Sequence, residues 1–220
     1  MRKPYIFWDF DGTLLNTDDI IVDSWNATAL KFLGHEFEKS EILKTFGETV
    51  RYTSKKLFPE TSVDEAINYY REFQEKHYKG KIGLFDGCEG ILDKLRELGY
   101  SNNIVTSRLC KTTMQYLKDL NVADKFDVVV TADDVETPKP DPEPLKSAIS
   151  QLEEKQGKKI ELSECIMIGD SKFDVGCANN TGVTSVIVDW GKGIPEESIA
   201  EMGFSYDYVI RKPEEILEIV

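Results

Sequence analysis

Two aspartates, Asp9 and Asp11, follow directly on an apolar run in the segment YIFWDFDGTLLN, residues 5–16. An ionised carboxylate is a nucleophile and a hard-oxygen metal ligand at neutral pH without help from a base. A second carboxylate beside it, partly removed from water, has its pKa raised and is able to hold a proton. Side chains two apart on an extended segment point to the same side. The spacing therefore offers two carboxylates, Asp9 and Asp11, together at one strand end, with the chemistry for one charged group and one proton carrier.

Three further polar clusters stand at or beyond the ends of later apolar runs. Thr106-Ser107-Arg108 closes NNIVT, Thr137-Pro138-Lys139-Pro140 lies beyond FDVVVT, and Gly169-Asp170-Ser171-Lys172-Phe173-Asp174 closes CIMIG. Lys139 comes 33 residues after Thr106, and Asp170 comes 31 after Lys139, each about the length of one strand–helix–strand unit. Ligands of open parallel sheets bind beyond the carboxyl ends of the strands, so one polar cluster per unit is the pattern of a site on one edge. Taken singly, each cluster has an ordinary account: DFDGT as an acidic turn, KPDPEP as a helix start with prolines at its first turn. An EF-hand loop is excluded, because Leu14 and Val175 occupy the sixth position where that loop needs glycine. The joint, ordered occurrence selects the site.

The elements that must position these residues fall into two groups. From about Asn16 to Lys81 the spacing is helical with almost no strand signal: DDIIVDSWNATALKFLG ends on a helix-stopping glycine, and SVDEAINYYREFQEKHYKG opens on a serine cap. After Gly87, helix and strand alternate. CEGILDKLRELGY predicts a helix with Leu95 and Leu98 facing inward, and strands are expected at NNIVT, FDVVVT, CIMIG, TSVIVDW and DYVI. Helical stretches separate them at CKTTMQYLKDL, PEPLKSAISQLEEK and DVGCANNTG, and another, PEEILEIV, closes the chain. This alternation implies an α/β fold with a doubly wound parallel sheet. The expected organisation is a core of residues 1–15 and 84–220, with an α-helical cap domain of residues 16–83 inserted on two hinges, near Leu15 to Thr17 and Lys81 to Asp86.

Composition narrows the partners. The chain has 220 residues, 40% of them apolar, and a formal charge of −13, which disfavours nucleic acid and anionic membranes because both reward a broad basic face. No run of about 18 apolar residues and no signal-peptide pattern is present, so a cytoplasmic protein is expected. Cys88, Cys110, Cys165 and Cys177 are widely spaced and read as reduced thiols, and the isolated His35 and His77 offer no zinc site.

DFDGTL, IVTSR, TPKPDP and IGDSKFD resemble, in order, the four motifs of the haloacid dehalogenase superfamily, with the helical insert in the place of that family's cap. The nearest subgroup resembles the phosphoglycolate phosphatases. The resemblance implies that Asp9 attacks phosphorus to form an aspartyl-phosphate and that Asp11 is the general acid and base. It also implies that Thr106 and Lys139 bind the transferring phosphoryl group and that Mg2+ is held among Asp9, Asp11, Asp170 and Asp174. Ser107 stands where many relatives have Asn and Thr137 where many have Gly; both departures are mild. The dehalogenase branch lacks the second aspartate, so carbon–halogen hydrolysis is disfavoured. The implied ligand is a small phosphorylated metabolite, and the chain is expected to be a monomer or homodimer. A phosphosugar mutase of the β-phosphoglucomutase type and a catalytically silent module are the alternatives.

Specificity is expected in the cap. Its KTFGETVRYTSKK stretch offers Gly47 as a flexible point and Arg51 as an anion partner, and Arg51 with Arg108 could recognise a substrate carboxylate by paired hydrogen bonds. With Ser107, Thr106 and Lys139, these form the expected substrate-binding set. An ordinary pair of helices with a solvated face is an equally good account of the stretch.

Overall fold

The computed structural model describes residues 3–220. Six strands form one parallel sheet in the order β5-β4-β1-β6-β7-β8. They are β1 (Tyr5–Trp8), β4 (Ser101–Val105), β5 (Val128–Val130), β6 (Cys165–Gly169), β7 (Thr184–Val188) and β8 (Tyr208–Ile210). β1 lies in the middle, pairing Phe7 with Asn103 on one side and with Met167 on the other. A central strand buried on both faces reads as a continuous apolar run, and Tyr5 to Phe10 bears this out: every residue there is buried.

The two faces are covered by different helices. Ile6 and Trp8 pack with Ile91, Leu92 and Leu95 of α5 (Cys88–Glu97) and Tyr116 and Leu117 of α6 (Cys110–Asp119). Tyr5 and Phe7 pack with Leu145, Ala148 and Ile149 of α7 (Glu143–Gln156) and Cys177 and Ala178 of α8 (Lys172–Thr181). The chain runs outward from β1 through β4 to β5, then returns to β6 on the other side of β1. That reversal opens a crevice at the carboxyl ends of β1, β4 and β6.

Between β1 and α5 lie four helices, α1 (Asp18–Leu33), α2 (Lys39–Leu43), α3 (Val50–Leu57) and α4 (Val63–His77). They enclose their own apolar cluster around Trp25, Phe58 and Tyr70. The Trp25 and Tyr70 rings are 4.2 Å apart, and α1 ends at Gly34 with φ of 78°, where a side chain would be strained. The segments read as hinges form more than loops. They pair as an antiparallel ribbon, β2 (Leu15–Asn16) with β3 (Gly83–Leu84).

Three local expectations need correction. Leu98 is 46% exposed, because it follows the last turn of α5 while Leu95, one turn earlier, fills the inner face. Ser62 precedes α4 but makes no side-chain cap bond. PEEILEIV forms a 3-10 helix over Pro213–Glu218 rather than an α-helix, with Pro213 and Ile216 buried. Cys88, Cys165 and Cys177 are buried free thiols, whereas Cys110 is exposed. No helix among the described residues is long and apolar enough to cross a membrane.

Candidate active site

Asp9 directly follows β1, and its N–H still donates to Ile168 O at 2.8 Å, so the sheet itself fixes where its carboxylate starts. The Lys139 ammonium, from the loop between β5 and α7, donates to Asp9 Oδ1 at 2.8 Å, to Asp174 Oδ1 at 2.5 Å and to Val105 O at 3.1 Å. Asp174 lies in the first turn of α8 and accepts from the Ser171 N–H at 3.0 Å and the Ser171 hydroxyl at 2.5 Å. Asp170 directly follows β6, and Thr13 Oγ1 donates to its Oδ1 at 3.4 Å. Three strand ends thus converge on one buried polar cluster.

Carboxylate oxygens of Asp9, Asp170 and Asp174 lie within 4.8 Å of one another. Three buried hard-oxygen donors are a fitting set for a divalent cation that prefers carboxylate. Gly12 adds a cradle: its φ is +80°, and a Cβ there would come 2.4 Å from Asp170 Oδ2. The residues present therefore fit Mg2+. Without an ion, burial, with the Asp174 and Asp170 carboxylates adding to it against Lys139, pushes the Asp9 carboxyl up to about 8. Burial likewise raises Asp170 despite Lys192. Burial disfavours the Lys139 ammonium, yet Asp174 and Asp9 hold its pKa above the ordinary lysine value.

Asp11 is placed differently from expectation. Its carboxylate does not join the acidic cluster but receives a two-point grip from Arg108, Nε to Oδ2 at 2.8 Å and Nη2 to Oδ1 at 2.7 Å. Thr17 Oγ1 adds a third donor at 2.8 Å. Burial raises the Asp11 pKa, but the guanidinium and the hydroxyl outweigh it and hold the carboxyl below the usual range. Arg108, a partner that spacing alone does not reveal, thus favours the charged form of Asp11, while burial favours the protonated form of Asp9.

Arg108 reaches across to the cap as well. Its Nη1 donates to Gln74 Oε1 at 3.3 Å, and its guanidinium lies 4.6 Å from the centre of the Tyr116 ring. Thr106 Oγ1 accepts the Arg108 N–H at 3.1 Å, and Ser107 Oγ donates to Gly47 O at 3.5 Å. Gly47 has φ of +86°, and a Cβ there would meet Ser171 Oγ at 2.7 Å and the Phe173 ring at 2.8 Å. Gly47 is therefore a point of close approach between cap loop and core, not merely a flexible joint. Arg51 pairs with Asp64 at 2.7 Å, both side chains mostly exposed, so it sits at the rim.

Asp9, Asp11, Thr106, Ser107, Arg108 and Lys139 line a cavity of about 380 Å³ together with Gly47, Arg51 and Gln74 of the helical insert. Sequence reasoning missed Lys192, whose ammonium contacts Asp170, and Trp190, whose indole N–H donates to Thr13 O at 3.0 Å. Their signal is the cluster WGKG beyond β7, a fifth strand end of the same kind as the four read.

A buried aspartate at the end of the central strand, a buried lysine and an acidic triad stand together at the carboxyl edge of a parallel α/β sheet. The chain belongs to the haloacid dehalogenase-like hydrolases, whose family description matches residues 6–188. A protein named pyrophosphatase PpaX from Halalkalibacterium halodurans is 33% identical over 220 residues, covering 100% of this chain and 98% of that one. One of the same name from Bacillus velezensis is 34% identical over 219 residues, covering 99% and 96%. The crystal structure of a predicted phosphoglycolate phosphatase from Haemophilus somnus 129PT shares the fold, with TM-score 0.81 at 20% identity, covering 100% of this chain and 98% of that one. Within its family the chain is a phosphatase.

Proposed function

We propose that this phosphatase is magnesium-dependent and hydrolyses a small metabolite whose phosphoryl group stands next to a second anionic group. Pyrophosphate and phosphoglycolate are the two forms that the relatives' names suggest. The observation that carries the reading is Arg108: a buried guanidinium in the cavity wall whose partner, Asp11, is the residue required to move the proton. Asp11 takes up a proton only when Arg108 loosens its grip, and a second anion on the substrate is the natural exchange partner for a bidentate guanidinium.

The residues then divide the work. Asp9 attacks phosphorus, the P–O bond to the leaving group breaks, and Asp11 gives its proton to the departing oxygen. In the second half Asp11 takes a proton from water, whose oxygen attacks the aspartyl-phosphate and restores the Asp9 carboxylate. Lys139 and the Thr106 hydroxyl neutralise and orient the transferring group. Asp9 and Asp170, with Asp174 beside them, would hold Mg2+, which offsets the repulsion between an anionic nucleophile and an anionic phosphate. The cap roof excludes water from this exchange.

The test is a kcat/KM comparison in Mg2+ of pyrophosphate and phosphoglycolate against nitrophenyl phosphate, which carries no second anion. At least one of the first two should be preferred by tenfold or more, as charge-assisted hydrogen bonds are worth roughly 1.5–3 kcal/mol. Preference for nitrophenyl phosphate refutes the second-anion reading, and turnover undiminished by EDTA refutes the magnesium site.

A further inference from the structure

Lys192 is a cation without a part in the chemistry above. It stands in the loop after β7, anchored by the Trp190–Thr13 hydrogen bond and by Gly191, where a Cβ would already touch the Phe85 ring at 3.6 Å. Its ammonium contacts Asp170 Oδ2 and lies 4.6 Å from the centre of the Phe46 ring, on the cap. Its side chain is 17% exposed, and it lines the same cavity as Asp9 and Arg108.

Charge arithmetic shows what it does there. With a divalent ion in the triad Asp9 would be ionised, and Asp9, Asp170 and Asp174 would then bring three negative charges, of which Lys139, shared between Asp9 and Asp174, answers one. Asp170 is left to Lys192. A divalent cation in the triad would cancel the two charges that Lys139 leaves, so at Asp170 the ion and the Lys192 ammonium are alternatives rather than companions. A displaced ammonium needs another anion, since an unpaired buried charge is costly.

The cap supplies one. Asp18, the first residue of α1, lines the cavity, and Lys192 is its main charged neighbour. Its Oδ1 is one of two buried side-chain polar atoms among the described residues that have no hydrogen-bond partner. Such atoms are rare and ask for a reason.

We infer that Lys192 carries its positive charge between two stations: it neutralises Asp170 of the core in the ion-free protein and passes to Asp18 of the cap when a divalent ion takes Asp170. Ion loading thereby converts a contact within the core into one that ties the core to the cap, with Phe46 beneath the moving ammonium. The inference rests on the magnesium site proposed above.

The test is Mg2+ binding by isothermal titration calorimetry to the EDTA-stripped full chain, which needs no turnover. Lys192→Met should bind Mg2+ roughly tenfold more tightly, as the competing cation is gone. Asp18→Asn should bind it more weakly in the wild-type background and nearly as tightly as its parent in the Lys192→Met background, because the second station serves only Lys192. A parallel melt checks the first station: Lys192→Met should lose stability in EDTA and recover in saturating Mg2+. Unchanged or weaker binding by Lys192→Met, equal effects of Asp18→Asn in both backgrounds, or a melting deficit that Mg2+ leaves untouched each overturn the inference alone. Failure of the wild type to bind Mg2+ overturns the magnesium site with it.

Discussion

Asp9→Asn should abolish turnover yet make the ion-free protein more stable, increasingly so as pH rises. The Asp9 carboxyl titrates near 3.8 in an open chain and about 8 in the fold, burial being the main cause. Between those limits the folded state holds a proton that the unfolded chain has released, so folding stability falls as pH rises through the window. Each pKa unit is worth about 1.4 kcal/mol, and at pH 7 about three units lie below the working pH, giving an upper bound of ~4 kcal/mol. Asparagine never ionises and escapes this cost, but its amide oxygen accepts from the Lys139 ammonium more weakly than a carboxylate does, a loss of at most roughly 2 kcal/mol. Lys139 keeps Asp174 at 2.5 Å and Val105 O at 3.1 Å, so it is not orphaned. The expected net gain is about 1–2 kcal/mol at pH 7, reversing below roughly pH 5, where the wild-type penalty falls under the loss from the weaker bond. Urea denaturation in EDTA, followed by circular dichroism at several pH values between 4.5 and 8.5, measures the difference. A variant less stable than wild type across the range, or a difference flat with pH, refutes the account of Asp9 as a buried carboxylate awaiting a cation.

Two other substitutions probe the neighbouring parts. Arg108→Met should lower kcat/KM for pyrophosphate or phosphoglycolate by about a hundredfold, the value of a bidentate charged pair, while leaving nitrophenyl phosphate turnover unchanged or raising it, because Asp11 is then freed from the guanidinium; equal losses on all substrates would refute the second-anion reading. Gly12→Ala forces a Cβ to within 2.4 Å of Asp170 Oδ2 at a φ of +80°, so the carboxylate must move, and calorimetric Mg2+ affinity should fall by tenfold or more, since metal sites tolerate ligand shifts of only about 0.2 Å. Wild-type affinity in that variant would exclude Asp170 as a ligand.

The sheet was legible because its strands are short apolar runs with a reason to be apolar. CIMIG is β6 to the residue, and NNIVT and DYVI each overlap their strands, β4 and β8, with shifts of a residue or two at the ends. Burial on both faces writes itself into composition, and the turn to polar residues at each strand end marks the edge where a site can form. The helices of the insert were legible for the same reason, since Val22, Trp25 and Ala29 on α1 and Ala66 and Tyr70 on α4 recur at helical spacing around one cluster. The antiparallel ribbon β2–β3 was not, because two-residue strands carry no period.

The site was legible only as a set of residues on one edge; how those residues pair was not. Strand-end position brings Asp9, Asp11, Thr106, Arg108, Lys139 and Lys192 to one cavity, but choice of partner depends on reach and angle within it. Asp9 and Asp11 begin two residues apart and end with different cations: Lys139 crosses from the β5–α7 loop to the first, and Arg108 crosses from the end of β4 to the second. A proton balance deduced from two neighbouring carboxylates alone counts their mutual repulsion and omits the cations each has acquired. On the function proposed above, a divalent ion at the triad would lower the pKa of Asp9 and a second substrate anion on Arg108 would release Asp11, so a phosphoester without its second anion would leave Asp11 held by Arg108.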